Sequence, residues 1–170
     1  GADKEMVEKL DQNLRHFNQL VIKELGKNIN RIPGAGAAGG LGAGLVAFLD
    51  AELKAGVDII LDLINFEKRL KGVDLVITGE GMLDGQSIYG KTPVGVSRSA
   101  AKKNIPVIAL AGTLGAGVEK VLDHGINSYF SLIDRPAKLK EVVERSPALL
   151  VDLSEQIIRT LKIKRLVKFD

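Results

Sequence analysis

Three short apolar runs constrain this chain most: Val73 to Thr78, Pro106 to Ala111 and Ile126 to Leu132. Each is too short for a buried helix, and each is bounded by glycine, proline or polar residues. Such runs read as strands buried on both faces, and strands alternating with helical patterns predict a parallel sheet covered by helices. Crossovers between parallel strands are right-handed, and ligands bind beyond the strands' carboxyl ends. The segments that follow the three runs are therefore where functional residues are expected.

The first run is expected to break at Gly79 and Gly81 and to enter a polar loop carrying Glu80, Asp84, Gln86, Ser87 and Lys91. The second leads into Gly112-Thr113-Leu114-Gly115-Ala116-Gly117, and the third into Asp134-Arg135. Acids, hydroxyls, a lysine and a backbone-rich turn at one sheet edge suit phosphoryl transfer, where catalysis is mostly positioning and charge neutralisation. Asp84 is the first candidate, as a base toward a substrate hydroxyl or as a Mg²⁺ ligand; an Asx-turn beside Gly85 is its structural alternative. Glu80 is a candidate acid or a surface carboxylate. Lys91 is a candidate contact to phosphate or to a substrate carboxylate, and its position just before a helix start is unfavourable to the dipole. Gln86 and Ser87 either bind substrate oxygens or structure the loop. Thr113 and the amides of 115–117 either cradle phosphate or form a plain strand–helix turn.

Around these strands the spacing predicts a helix from Pro93 to Asn104 with Val94, Val96, Ala100 and Ala101 inward, proline being normal in a first turn. A helix with Val118, Val121 and Leu122 ends at Gly125. Two helices close the chain, 136–145 on Leu139, Val142 and Val143, and 148–165 on Leu149, Leu150, Leu153, Ile157, Ile158 and Leu161. Upstream, residues 51–56 form a connector or a short edge strand, followed by helical spacing at Val57, Ile60, Leu61 and Ile64 and a short helix at Phe66 to Leu70. Asp58 and Asp62 share a helix face and read as a solvated acidic surface. Arg135 reads as structural. His16 and His124 read as helix-surface residues, so no Ser-His-Asp constellation is available.

The N-terminal stretch is organised differently. Residues 4–25 form an amphipathic helix on Met6, Leu10, Leu14, Phe17, Val21 and Leu25, with Asp3 as N-cap and Gly26 as stop. Then Gly34, Gly36, Gly39, Gly40, Gly42 and Gly44 crowd the entry to an apolar helix. Glycine costs roughly 1 kcal/mol per position in a helix interior, so the cluster needs a compensation. One is an anion held by exposed backbone N–H groups at the first turn, with Gly34, Gly36, Gly39 and Gly40 as the candidates. The other is close packing, with Gly42 and Gly44 facing a neighbour. No Gly-Lys-Ser/Thr follows and no strand precedes, so this is neither a phosphate loop of the Walker kind nor a dinucleotide fingerprint.

Composition narrows the classes. With 170 residues and 45% hydrophobic content the chain can bury a core. It has no cysteine, which excludes disulfides and a thiolate nucleophile and fits a reducing, cytoplasmic setting. A net charge of +3, 4% aromatics and no tryptophan give no case for nucleic acid. The basic cluster Lys162 to Lys168 reads as a solvated tail. No apolar run is long enough to span a membrane, and no secretory signal is evident. The chain opens Gly1-Ala2-Asp3, without methionine, as though cut from something longer.

At its motifs the chain resembles the C-terminal part of bacterial-type (type I) glycerate kinases, the glycerate 2-kinase family. The resemblance is carried by Pro33-Gly-Ala-Gly-Ala-Ala-Gly-Gly40, by Asp74-Leu-Val-Ile-Thr-Gly-Glu-Gly81 with Asp84, Gln86 and Ser87, by Gly90-Lys-Thr-Pro-Val-Gly-Val96 and by Pro106-Val-Ile-Ala-Leu-Ala-Gly112. The opening Gly1 to Asp11 is similar as well, and the likeness extends to about residue 160. It implies ATP-dependent, Mg²⁺-assisted phosphorylation of D-glycerate, with 2-phosphoglycerate favoured as product. It also implies two α/β domains, one flavodoxin-like and one inserted into it, with the active site between them. On that map residues 1–50 belong to or return from the inserted domain, and 51–170 to the C-terminal part of the flavodoxin-like one. Family members are roughly twice this length, so an N-terminal half of the same enzyme is the expected partner. Self-association through uncovered apolar surface is also expected. The competing reading is a non-catalytic α/β module that binds a phosphate-bearing ligand or a protein.

Overall fold

The computed structural model describes residues 1–163 and divides the chain into two compact units, Gly1–Lys54 and Ala55–Asp170.

In the first unit, α1 spans Lys4–Leu25 and α2 spans Ala37–Leu49. The Asp3 carboxylate accepts the Met6 amide at 2.8 Å, and Gly26 closes α1 in the left-handed region, as the sequence predicts. Val21, Ile29, Ala35, Ala43 and Ala47 form the core, with Phe17, Ile32, Val46 and Leu53 packed on it. The buried Asn18 Oδ1 accepts the amides of Ile29 and Asn30, fixing the chain's return after α1. The Lys27 ammonium donates to the Ala47 carbonyl and to Asp50 at the C-terminal end of α2, where a cation complements the helix dipole. Only part of the α1 stripe is covered. Val21 is buried, but Met6, Leu10 and Leu25 are exposed.

The second unit holds a parallel sheet in the order β1-β2-β3, with β1 at Val76–Leu83, β2 at Val107–Leu114 and β3 at Ser128–Ser131. Before it come α3 (Gly56–Leu63) and α4 (Phe66–Arg69); α5 (Thr92–Ala101) crosses from β1 to β2, a 3₁₀ helix at Val118–His124 crosses from β2 to β3, and α6 is Leu139–Ile163. Alternate residues of β2 face opposite layers. Ala109 and Ala111 pack with Leu83, Val94, Val121 and Ile126, whereas Ile108 and Leu110 pack with Ile157 of α6. β2 is thus covered on both faces, as its apolar run predicts, whereas Ile77 and Met82 of β1 and Phe130 of β3 are exposed.

Several expectations are corrected. β1 does not break at Gly79 and Gly81 but runs on to Leu83, in register with β2 through Glu80↔Ala111 and Met82↔Thr113. Neither glycine has a positive φ. Close approach explains Gly79 and Gly112, since a Cβ on Gly79 would stand 3.0 Å from the Leu110 carbonyl and one on Gly112 would stand 2.6 Å from the Gly81 carbonyl, whereas a Cβ on Gly81 would meet nothing within 4 Å. β2 likewise extends past Ala111 through Thr113. Residues 51–55 are irregular rather than an edge strand. The two closing helices are one. Pro147 lacks the N–H that would bond the Val143 carbonyl, and the Ser146 hydroxyl donates to that carbonyl at 2.8 Å instead, so the helix continues. Ala101, expected inward, is exposed, as are Ile60, Ile64, Leu122, Leu139, Val143, Leu150, Ile158 and Leu161. The segment 136–138 precedes α6, and residues 164 and 165 lie outside the described residues, as does most of the basic cluster.

Candidate active site

β1 ends at Leu83, and the backbone then folds into a turn through Gly90 before α5 begins at Thr92. The turn is organised by one carboxylate. Asp84 Oδ1 accepts the Gln86 amide at 3.0 Å, the Ser87 hydroxyl at 3.0 Å and the Lys91 ammonium at 3.1 Å. Ser87 is fully buried, and its Oγ also accepts the Asp84 amide at 3.0 Å. Lys91 reaches back to the Met82 carbonyl at 3.4 Å as well. The Lys91 ammonium beside Asp84, helped by the Ser87 hydroxyl and the Gln86 amide, holds the carboxyl below the usual carboxylate range, against the desolvation that raises it. Among the described residues, every side-chain hydrogen bond to Asp84 ends on Oδ1.

The turn after β2 closes on this loop. The Gly115 amide donates to the Leu83 carbonyl at 2.8 Å, and the Gly85 amide donates to the Ala116 carbonyl at 3.0 Å. A Cβ on Gly85 would stand 3.1 Å from the Gly117 carbonyl, so only glycine permits the approach. Met82, Asp84, Gly85, Gln86, Tyr89, Ala116, Gly117 and Lys120 line an open cavity of about 600 Å³ over this junction. Asp84, Gln86, Ser87 and Lys91 are therefore brought together, as the loop's composition suggests. The 115–117 turn presents less backbone than expected, because the Gly115 amide is already paired.

Glu80 and Thr113 stand elsewhere. They line a second cleft of about 490 Å³ with Gly81, Gly112, Leu132, Ile133, Ala137, Leu139, Val142, Val143 and Ser146. This cleft opens where β3 stops. Ser131 pairs with Ala111 and the Leu132 amide still bonds the Ala111 carbonyl, but β2 continues to Leu114. Its outer wall is pinned by ion pairs: Arg145 to Asp134 at 2.8 Å and Arg135 to Glu141 at 2.9 Å. Arg135, read as structural from its position before Pro136, is engaged by Glu141. The sequence gives no signal for this cleft, because Leu139 and Val143 read as ordinary core positions of a helix. Tyr89 and Lys120, which line the first cavity, are not singled out in the sequence.

The glycine-rich stretch of the first unit is shaped by backbone rather than by a bare helical first turn. Ala38, Gly39 and Gly40 all take positive φ inside α2, as does Gly34 before it. Gly40 also sits against Leu14, whose Cδ2 would be 2.6 Å from an added Cβ. Gly42 packs against the Gly34 carbonyl and Leu53, whereas Gly44 faces open space, so the packing reading holds for one of that pair. Of Gly34, Gly36, Gly39 and Gly40, Gly36 lines a cavity of about 150 Å³ beside Asp11, Arg15 and Asn18. Asp58 and Asp62 line a surface hollow, and Asp58 pairs with Arg98 at 3.0 Å. No group of three metal-ligating side chains occurs among the described residues, and no described helix is long and apolar enough to cross a membrane.

Known proteins similar to this chain match most of its length. Residues 1–162 match the glycerate kinase family. A glycerate kinase of Halalkalibacterium halodurans is 49% identical over 157 residues, which is 92% of this chain and 41% of that protein. The glycerate 2-kinase of Escherichia coli K12 is 43% identical over 163 residues, 96% of this chain and 43% of that protein. The crystal structure of a Salmonella typhimurium LT2 protein proposed to be glycerate kinase 2 superposes with a TM-score of 0.70 at 36% identity, over 98% of this chain and 43% of that one. The chain thus spans a little over two fifths of the length of these relatives. With the family matched from Gly1 to Lys162, the chain belongs to the glycerate kinase family.

Proposed function

We propose that this chain supplies the C-terminal part of a kinase that transfers a phosphoryl group from ATP to D-glycerate, with 2-phosphoglycerate as the favoured product. The observation that carries the reading is the Asp84 loop, at the carboxyl end of a parallel strand in a member of this family. In this reading residues 51–170 are part of a flavodoxin-like domain, residues 1–50 return from an inserted one, and the rest of the enzyme completes the cleft. The open cavity over Gly85 and Gly117 suits small, charged, oxygen-rich groups, because its floor is backbone and its lining holds Asp84, Gln86 and Lys120.

The role of Asp84 follows from its surroundings. A carboxyl held ionised by Lys91 is a weak proton acceptor and a good electrostatic anchor. It therefore orients the attacking hydroxyl or ligates a cation rather than carrying the proton away. The donors on Oδ1 leave Oδ2 for such a contact. One carboxylate fits Mg²⁺, which keeps most of its positions for water and substrate phosphate, and when bound it neutralises charge on the transferring group. Lys91 fixes the carboxylate's direction. Gln86 and Ser87 fix the turn, and Ser87, being buried, does so without touching substrate. Gly34, Gly36, Gly39 and Gly40 are kept as candidate phosphate contacts, with Gly36 foremost because it lines a cavity.

The test is substitution in a protein of the relatives' length. Asp84→Asn is expected to lower kcat by about 10²-fold or more with folding intact, the scale of losing one aligned charged group. Unchanged turnover would remove Asp84 from the site.

A further inference from the structure

Resting on the kinase reading above, we infer that the cleft lined by Glu80, Thr113, Leu139 and Val143 receives the purine nucleoside of ATP. The argument begins with a mismatch. Two of the cavities in the second unit differ in chemistry: one is lined by Asp84, Gln86 and Lys120 beside Met82, Tyr89 and the Gly85 and Gly117 backbone, the other is walled by Leu132, Ile133, Leu139, Val142 and Val143. D-glycerate has no apolar surface to place against such a wall. A purine has two apolar faces, so of the two substrates only the nucleotide matches it.

Size and floor agree. A volume of about 490 Å³ lies within the range of small-molecule sites, which are mostly apolar with a few polar groups that fix orientation. Here those groups are the Glu80 carboxylate, an acceptor for ribose hydroxyls, and the Thr113 and Ser146 hydroxyls. Gly81 and Gly112 keep the floor bare, since a Cβ on Gly112 would meet the Gly81 carbonyl at 2.6 Å. A flat ring can lie close to that backbone.

Position agrees as well. Glu80 and Asp84 belong to the same extended stretch, four residues apart, or about 13 Å at roughly 3.3 Å per residue. On the neighbouring strand and its turn, Thr113 lines the cleft and Ala116, three residues on, lines the Asp84 cavity. A nucleoside in the apolar cleft would thus point its phosphates along the β1–β2 pair toward the Asp84 cavity. The ion pairs of Asp134 with Arg145 and of Arg135 with Glu141 join the loop after β3 to α6, which carries Leu139, Val142 and Val143.

The experiment is a substrate split plus direct binding. In the protein of the relatives' length, Val143→Trp fills the cleft from an exposed position and is expected to raise KM for ATP at least tenfold, with KM for D-glycerate within twofold. Leu139→Ser, also at an exposed position, should raise KM for ATP severalfold by removing part of the wall. Calorimetry on the same protein should show that Val143→Trp weakens adenosine and ATP but not inorganic triphosphate. If wild-type protein shows no turnover with D-glycerate yet binds adenosine in a Val143→Trp-sensitive way, the kinase reading fails and the nucleoside site stands. Equal effects on both substrates, or ATP and adenosine binding untouched by Val143→Trp, would overturn the inference and leave the cleft to another segment of the enzyme.

Discussion

The Lys91 ammonium stands 3.1 Å from Asp84 Oδ1, where it meets the Ser87 hydroxyl and the Gln86 amide on the same oxygen. Lysine just before a helix start opposes the helix dipole, and here it caps α5 with no side-chain bond to that helix. The carboxylate is its compensation. Removing the cation should therefore change the acid. In Lys91→Met the Asp84 carboxyl should titrate higher, back toward its ordinary value of 3.8, when followed by carbon-detected NMR. An unchanged titration would mean that the two groups do not interact in solution.

The same pair sets a pH dependence. A carboxyl lowered by folding adds stability above its unfolded value and loses it as pH falls through the folded one. The Asp84 contribution is therefore complete at neutral pH and disappears on acidification below 3.8. Asp134, lowered by Arg145, behaves alike. The Asp84→Asn and Asp134→Asn variants should lose stability relative to wild type at pH 7, and the difference should shrink at acid pH in denaturant titrations.

Gly95 of α5 lies under Val57 of α3, whose Cγ1 would stand 2.7 Å from an added Cβ. Gly95→Ala should destabilise by about 1–3 kcal/mol, the usual range for overpacking. Val57→Ala should relieve most of that in the double variant. Chemical denaturation of the four proteins gives the coupling, and strict additivity would argue against the contact.

Ser97 is fully buried, and its hydroxyl lies 2.8 Å from the His124 carbonyl and 3.0 Å from that of Val94. It ties α5 to the end of the 3₁₀ helix. Ser97→Ala should cost about 1–2 kcal/mol by leaving a buried carbonyl without its donor. A thermal midpoint equal to wild type would contradict this.

Leu41, Phe48 and Leu49 of α2 are 62%, 64% and 71% exposed. Apolar surface of this kind marks an interface or an aggregation liability. The isolated chain is expected to self-associate with rising concentration in sedimentation experiments, and Phe48→Lys should reduce that.

How much of this was legible in the sequence depends on the kind of signal. Helix α1 and its caps follow from local rules, because Asp3 and Gly26 act within one turn of themselves. The parallel sheet follows from the apolar runs. The extent of β1 and β2 does not, because Gly79, Gly81 and Gly112 look like breakers, whereas Gly79 and Gly112 are sites of close strand approach, a property of the pair. The continuity of α6 across Pro147 depends on a hydroxyl bond that periodicity cannot report. Asp84, Gln86, Ser87 and Lys91 are close in sequence, so their meeting was readable. The separation of Glu80 and Thr113 from them was not, since it arises where β3 ends while β2 continues.

This chain is proposed to carry part of a glycerate kinase site that the rest of the enzyme completes. The most direct measurement is ADP release from ATP, Mg²⁺ and D-glycerate by this chain, beside a protein extended to the relatives' length. The account predicts turnover in the longer protein, its loss in the Asp84→Asn form, and none in the chain alone. Silence in both proteins would contradict the kinase reading, and full turnover by the chain alone would contradict the claim that its site needs completion.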